Sequence, residues 1–238
     1  MRNLKKIIFV IVIATILVVS FITRKSITDN YNTEEVRKEF LVPYFPKEIS
    51  GLCKGIEKKL DKSPIIIIGK ATGNSQYVFR NFIQEVQVLE VIKGEDKITA
   101  DSKVKLTGCG SIGYEYDENE KYKDKAGKVY VDTNFLNYMI EGDKYLIFIG
   151  RKVNVSYDSV YELNTQAISL QYLNLSRDVY EVCTPANTNG DVCDIPYKEV
   201  RYSEFATDSD KVMENWINTK KKLIAKYVKS NEMIRWGK

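Results

Sequence analysis

Histidine is absent from this 238-residue chain, and its absence excludes several common kinds of catalytic site. Without an imidazole there is no Ser-His-Asp or Cys-His nucleophile, no histidine-ligated zinc, and no usual proton shuttle near neutral pH. Carboxylate pairs, Ser-Lys dyads and calcium sites stay compatible with the composition. The absence therefore argues strongly against the commonest hydrolases and only weakly against enzymes in general.

The chain also lacks a strong excess of charge outside its N-terminus. It contains 36 basic and 32 acidic residues, for a net charge of +4, and three of the basic residues are Arg2, Lys5 and Lys6 at the start. The remainder is nearly neutral. Because neutralising phosphates supplies much of the energy of nucleic-acid binding, we predict no nucleic-acid partner.

Cysteine is scarce, with only Cys53, Cys109, Cys183 and Cys193. Four cysteines suit an exported domain with two disulfides. The polar, turn-rich residues between Cys183 and Cys193 can bring these two together, so we predict the pairs Cys183–Cys193 and Cys53–Cys109. A four-cysteine zinc site is the alternative, but no C-x-x-C spacing supports it.

Residues 7–22, IIFVIVIATILVVSFI, form an uncharged run behind the basic start MRNLKK. As a helix the run is about 24 Å long, slightly short of an average membrane span, and its flanks can extend it. The larger positive charge before the run predicts a cytoplasmic tail at 1–6 and an extracytoplasmic main part. A cleaved signal peptide is the alternative, although only Val18-Val19-Ser20 resembles a cleavage site.

Helical patterns flank the rest of the chain. Residues 23–62 are predicted to form a juxtamembrane helical segment, with short helices at 33–41 and 50–60. Residues 206–238 contain an amphipathic pattern over 208–229, whose apolar face is interrupted only at Lys220. The opposite face carries Lys221, Lys222, Lys226 and Lys229.

Residues 63–205 have a strand pattern instead. Thr72-Gly73-Asn74-Ser75 is predicted to be a turn, and the alternation in 77–92 slips near Gln84, which predicts a bulge. Short strands joined by turns that contain Gly and Asp are typical of an all-β barrel or sandwich. The predicted strands are 65–68, 77–92, 103–107, 128–131, 145–149, 159–163, 167–173 and 179–182.

Three stretches carry a resemblance, namely VLEVIKG at 88–94, VKLTGCG at 104–110 and MIEGDKYLIFI at 139–149. In order and spacing they resemble a pattern of small, uncharacterised exported proteins of Gram-positive bacteria. The resemblance implies a small OB-like β-barrel, closed or partly open, similar to tissue inhibitors of metalloproteinases and netrin modules. Metalloproteinase inhibition does not carry over, because those inhibitors chelate zinc with a free N-terminal cysteine, whereas Cys53 follows an anchor and a linker.

Tyrosines in the loop-rich middle section offer a candidate interaction surface, because tyrosine combines apolar area with a polar tip. Core tyrosines are the alternative explanation. The acidic residues of 115–124 have oxygen ligands for calcium but not EF-hand spacing, and a solvated hairpin tip explains them better. The candidate surface consists of Tyr114, Tyr116, Tyr122, Tyr130 and Tyr138.

These observations predict a mainly β, single-pass protein of the cell membrane that binds an envelope protein partner or assists a membrane complex. We assign it no catalytic residue, metal or cofactor. The alternatives are an envelope-acting enzyme with carboxylate or Ser-Lys chemistry and a protease-inhibitor-like domain. An enzyme predicts a cleft with converging acids, one with a raised pKa, whereas a binding module predicts an apolar groove without such acids.

Overall fold

A computed structural model describes residues 2–29, 41–47, 51, 55–78, 81–108, 110–114, 129–132, 135–153, 159–167, 169–182 and 194–228. For some of these, including 111–114 and 129–132, it describes the backbone alone. The four cysteines, Cys53, Cys109, Cys183 and Cys193, lie outside the described residues. Their disulfides therefore stay a prediction.

The described residues are mainly β, as the sequence predicted, with a helix at each end. The helices are α1 (Arg2–Asp29), α2 (Ile56–Asp61), α3 (Tyr197–Val200) and α4 (Asp210–Tyr227). The first six strands are β1 (Leu41–Pro43), β2 (Ile65–Val78), β3 (Asn81–Lys93), β4 (Lys103–Thr107), β5 (Ser111–Tyr114) and β6 (Val129–Asp132). The others are β7 (Lys144–Val153), β8 (Val160–Leu163), β9 (Tyr172–Asn174), β10 (Tyr180–Val182), β11 (Asp194–Pro196) and β12 (Phe205–Thr207).

Five strands pair in a ring. β2 lies antiparallel to both β3 and β7, β3 lies antiparallel to β4, and β7 lies antiparallel to β8. A parallel pairing of β4 with β8 completes the ring. Strands β5, β6, β1 and β11 continue outward from β3, and β10 and β12 form a separate parallel pair. The core lies within this arrangement and includes the fully buried β-branched side chains of Ile65, Ile66, Ile67 and Ile68.

The predicted bulge exists, but on the strand opposite the one expected. The register passes from Ala71 opposite Val86 to Ser75 opposite Gln84, so the predicted turn at residues 72–75 is a bulge within β2. Glu85 accepts hydrogen bonds from Asn74 Nδ2 and Thr72 Oγ1, both at 2.9 Å, which lower the pKa of the Glu85 carboxyl. Polar side chains therefore stabilise the irregularity.

Strand β3 keeps its alternation through Gln84, where the sequence pattern slips. Gln84 points into the core because its amide donates to the backbone oxygen of Met139 and accepts from the Met139 nitrogen, each at 3.1 Å. A buried amide with both functions bonded avoids the cost of an unmade hydrogen bond. The slip in the hydrophobic pattern thus reflects a buried polar residue, and β3 keeps the same face toward the core.

Other predicted boundaries were partly wrong. A strand over 77–92 is divided in the structure, where β2 ends at Val78 and β3 begins at Asn81. A strand over 167–173 is reduced to β9, and Ser169 has a φ of 62°, which no strand residue adopts. Leu41 begins strand β1 instead of ending a helix, since β1 pairs with β11 and β6.

The predicted N-terminal helix is present as α1, and its described apolar side chains are exposed, Phe21 by 71% and Leu17 by 65%. Among the side chains that the structure describes, no helix combines the length and the apolarity that crossing a membrane requires. The membrane crossing of residues 7–22 stays a prediction.

The predicted C-terminal helix is confirmed as α4. Ser209 caps it by accepting a hydrogen bond from the Val212 nitrogen. Its apolar face packs on the core through Met213, Trp216, Leu223 and Ile224. Lys220 is buried on this same face, so the apparent break in the pattern lies at the helix–sheet contact.

We expect Gly94→Ala to destabilise the fold by about 1–3 kcal/mol. Gly94 directly follows β3 and has a φ of 89°, and an added Cβ lies 2.7 Å from the backbone oxygen of Pro64. Gly142→Ala is the matched control, since Gly142 has a φ of 84° but nothing within 4 Å of an added Cβ. Urea unfolding of both variants separates the steric contact from the backbone strain. Equal losses in the two variants contradict a role for the Pro64 contact.

Candidate functional site

A buried ion pair attaches α4 to the sheet. The ammonium of Lys220 contacts the carboxylate of Glu204, with side chains 1% and 6% exposed respectively. Asp178 Oδ1 lies 3.7 Å from the Lys220 nitrogen. The ammonium also lies 5.4 Å from the Tyr180 ring centroid and 5.7 Å from that of Trp216, close enough for cation–π attraction. Two carboxylates and two aromatic rings thus compensate the positive charge of Lys220.

Polar groups in and next to β7 and β9 extend this centre. Glu204 Oε1 accepts a hydrogen bond from the backbone nitrogen of Asn174. The Asn174 amide donates to Asp143 Oδ2 and to the Tyr145 hydroxyl, both at 3.0 Å. Arg177 Nε donates to Asp143 Oδ2 at 2.7 Å. The network joins α4 to the strands through satisfied polar groups, as buried polar side chains require.

Burial perturbs two acids of this network. It raises the pKa of Glu204 to about 7, although attraction and a hydrogen bond from Lys220 act in the opposite direction. Burial also raises the pKa of Tyr145. A raised carboxyl pKa is a property of some catalytic acids, but structural ion-pair networks produce it as well. Because Glu204 is buried against Lys220, its geometry is that of a structural contact.

The larger candidate site is a pocket of about 480 Å³ along α4, hereafter the α4 pocket. One face of α4 forms a wall, with Val212, Trp216 and Thr219 at helical spacing. The other contributors come from distant parts of the chain. Its described lining residues are Phe45, Gly51, Ile56, Leu170, Phe205, Val212, Asn215, Trp216, Asn218, Thr219 and Lys222.

Aromatic packing holds the inner part of the α4 pocket. The ring of Trp216 stacks on Phe205 with centroids 4.8 Å apart and planes 3° from parallel. Phe205 packs in turn on Phe45 at 5.7 Å. The indole nitrogen of Trp216 donates to the Ser169 oxygen at 2.9 Å. The apolar inner surface is therefore formed before any ligand binds.

The mouth of the α4 pocket is polar. Asn215, Asn218 and Lys222 are exposed on α4, while Phe45, Leu170 and Phe205 are fully buried. The described lining residues include no carboxylate, and Glu204 is not among them. The pocket therefore joins an apolar interior to amide, hydroxyl and ammonium groups at its opening.

The structure accounts for one of the five predicted surface tyrosines. Tyr138 is 4% exposed and packs between the rings of Phe82 and Tyr197, with centroids at 4.4 and 5.7 Å. It is a core residue, which corrects its assignment to a surface. Tyr114 and Tyr130 lie in the paired strands β5 and β6, where only the backbone is described. Tyr116 and Tyr122 lie outside the described residues, so an interaction role for these four stays a prediction.

Within the described part of the chain, no three His, Cys, Asp or Glu side chains lie together as a metal site requires. The acidic residues considered for calcium, at 115–124, fall outside that part. No family model matches the sequence, and no curated protein matches it either.

Sequence reasoning missed both Lys220–Glu204 and the α4 pocket. The sequence did contain a signal for the Lys220–Glu204 pair, because one lysine on an otherwise apolar helix face indicates a buried partner. Glu204 carried no comparable signal, since it precedes a short strand in a mixed sequence. The pocket could not be found at all, because Phe45, Leu170 and Trp216 meet only in the folded chain.

Proposed function

We propose that this protein is a membrane-anchored extracytoplasmic binding protein whose ligand site is the α4 pocket. The pocket carries the proposal. Its volume of about 480 Å³ lies within the range of roughly 300–1,000 Å³ that is typical of small-ligand sites. A preformed aromatic interior with a few polar groups at the mouth is also typical of such sites.

The anchor is supported by α1 and by the charges before it. Residues 7–22 carry no charge and lie within one continuous helix. Many of their large apolar side chains are exposed in the described fold, and Ile8, Phe9 and Val10 are each more than half exposed. Burial in lipid removes such side chains from water, and the basic residues at the start favour a cytoplasmic N-terminus.

The order of strands supports an OB-like barrel as the binding module. In chain order the ring consists of β2, β3, β4, β7 and β8. Around the ring the order is β2, β3, β4, β8, β7 and back to β2, so that the last two strands in chain order exchange places. The pair β4–β8, which joins the third strand to the fifth, is parallel. This arrangement supports the proposed OB-like barrel, a fold that serves binding in many proteins. Fold alone does not define a ligand.

Site-specific photo-crosslinking in intact cells tests the proposal. We expect a photoreactive amino acid at Asn218, on the pocket mouth, to capture a ligand in a Gram-positive host. The same group at Glu214 is the control, because Glu214 is exposed on α4 but does not line the pocket. Mass spectrometry of the tagged chain measures the adduct.

The outcomes of the crosslinking separate the alternatives. A small added mass at Asn218 and none at Glu214 supports the α4 pocket as a ligand site. An adduct of protein size at Asn218 supports the predicted envelope protein partner instead of a small ligand. Equal labelling at both positions, or none at Asn218, contradicts the pocket.

Protease added to intact protoplasts of the same strain tests the topology. We expect loss of a C-terminal tag while a cytoplasmic protein stays whole, since the main part of the chain is proposed to lie outside the membrane. A tag that is degraded only after lysis contradicts the proposed orientation.

A further inference from the structure

We infer that the α4 pocket binds an amphiphile with an anionic head group, of the fatty-acid class, and that Lys222 contacts the head. This inference rests on the proposed binding function and adds the chemical class of the ligand. Three properties of the pocket lead to it, namely its apolar inner residues, the length of its α4 wall and the charge at its mouth.

The deepest described residues of the pocket offer an apolar surface. Phe45, Leu170 and Phe205 offer no polar atom of their side chains. Among the described lining residues, the side-chain donor at this depth is the indole nitrogen of Trp216, and it already donates to the Ser169 oxygen. A polar ligand group placed there would be buried without a partner, at a considerable cost. The inserted part of the ligand is therefore hydrocarbon.

Residues of α4 line one side of the pocket. From Val212 to Lys222 this wall is about 15 Å long, at about 1.5 Å per residue. An extended hydrocarbon chain can lie along such a wall with its head group beside Lys222.

The charge at the mouth favours an anion. Lys222 is the only charged residue in the described lining, and no described carboxylate forms an ion pair with it. Two other lysines of α4 differ, because Lys220 pairs with Glu204 and Lys226 pairs with Asp61. The Asn218 amide at the same mouth supplies further hydrogen-bond donors. A carboxylate at this position gains charge-assisted hydrogen bonds.

Quenching of Trp216 fluorescence by a brominated amphiphile tests the inference directly. The chain has two tryptophans, so Trp236→Phe leaves Trp216, in the pocket wall, as the only reporter. We use the full chain in phosphatidylcholine nanodiscs and titrate it with ω-bromododecanoate. The uncharged ω-bromododecanol is the matched probe, and nanodiscs with brominated phosphatidylglycerol test a bilayer lipid as the source.

We expect saturable quenching by ω-bromododecanoate and at least about ten-fold weaker binding of ω-bromododecanol, because a hydrogen bond to a charged group contributes this much. Lys222→Met should weaken the acid about ten-fold and leave the alcohol unchanged. Lys221→Met is the control variant, since Lys221 is an exposed neighbour that does not line the pocket. Equal melting temperatures of the three proteins show that folding is unaffected.

Contrary outcomes distinguish this inference from the proposed function. Equal binding of acid and alcohol, or no effect of Lys222→Met, overturns the anionic class while the pocket remains a ligand site. Quenching by brominated phosphatidylglycerol alone overturns the free amphiphile as the occupant. Absence of quenching by every probe overturns the ligand class, and the Asn218 crosslinking then decides separately whether the pocket binds anything.

Discussion

Replacing Lys220 by methionine should lower the free energy of unfolding by about 3–5 kcal/mol at pH 8. Methionine fills a similar volume, so the loss comes mainly from Glu204, which stays buried without its cation. The carboxyl must then either remain charged in an apolar environment or take up a proton far above its ordinary pKa, and both are costly. The loss should shrink as the pH falls, because protonation of Glu204 becomes easier.

A second substitution tests this explanation. Adding Glu204→Gln to Lys220→Met should recover most of the lost stability, because no buried charge remains. The glutamine oxygen can still accept the hydrogen bond from the Asn174 nitrogen. Buried ion pairs are often replaceable as a unit, whereas removal of one partner is strongly destabilising.

Urea unfolding of the full chain in nanodiscs measures both variants and the parent, followed by Trp216 fluorescence in a Trp236→Phe background. Lys226→Met is the surface control, since Lys226 pairs with Asp61 on the exposed side of α4. It should cost far less than Lys220→Met, because exposed ion pairs contribute little to stability. Equal losses for Lys220→Met and Lys226→Met would contradict the importance we assign to burial of the pair.

Between about pH 4.5 and pH 7, the stability of the parent should fall as the pH rises. The folded pKa of Glu204, about 7, lies above its ordinary value of 4.5, because burial disfavours the charged form. In this interval the folded chain therefore binds more protons than the unfolded chain, and raising the pH removes that advantage. At about 1.4 kcal/mol per pH unit, the total fall is up to about 3 kcal/mol.

Because the chain contains no histidine, no imidazole contributes to the pH dependence of stability in this interval. Glu204→Gln should therefore remove nearly the whole slope. Asp61→Asn is the matched control. Hydrogen bonds from Lys226 and Tyr227 lower the pKa of Asp61, so its contribution is present at neutral pH and is lost only as the pH falls below about 4.

Unfolding curves at pH 5, 6, 7 and 8 measure the slope for the parent and the two variants. A parent stability that is constant or rises across this range contradicts a raised pKa of Glu204. A slope that persists in Glu204→Gln assigns the effect to another group.

The ion pair and the α4 pocket are linked through Trp216. Its ring lies 5.7 Å from the Lys220 ammonium and also forms part of the pocket wall. Lys220 and Thr219 are neighbours in the chain, one facing the sheet and the other the pocket. The buried network therefore positions the wall of the proposed binding site without touching a ligand.

Several elements could be predicted from local sequence because local physics decides them. The amphipathic period and the Ser209 cap define α4, and the β-branched run at 65–68 defines the buried part of β2. Strands β4 and β7 also lie close to where alternation placed them. The Lys93-Gly94 end of β3 is correct because Gly94 adopts a positive φ that other residues resist.

The sequence by itself determined the mainly β character, the helix at each end and the lack of histidine chemistry, since composition and periodicity express these directly. Only the tertiary structure decided that Gln84 and Lys220 face the core and that Tyr138 is buried rather than on a surface. Each depends on a partner remote in the chain, respectively Met139, Glu204 and Phe82. The same holds for the α4 pocket, because its walls exist only where distant segments pack together.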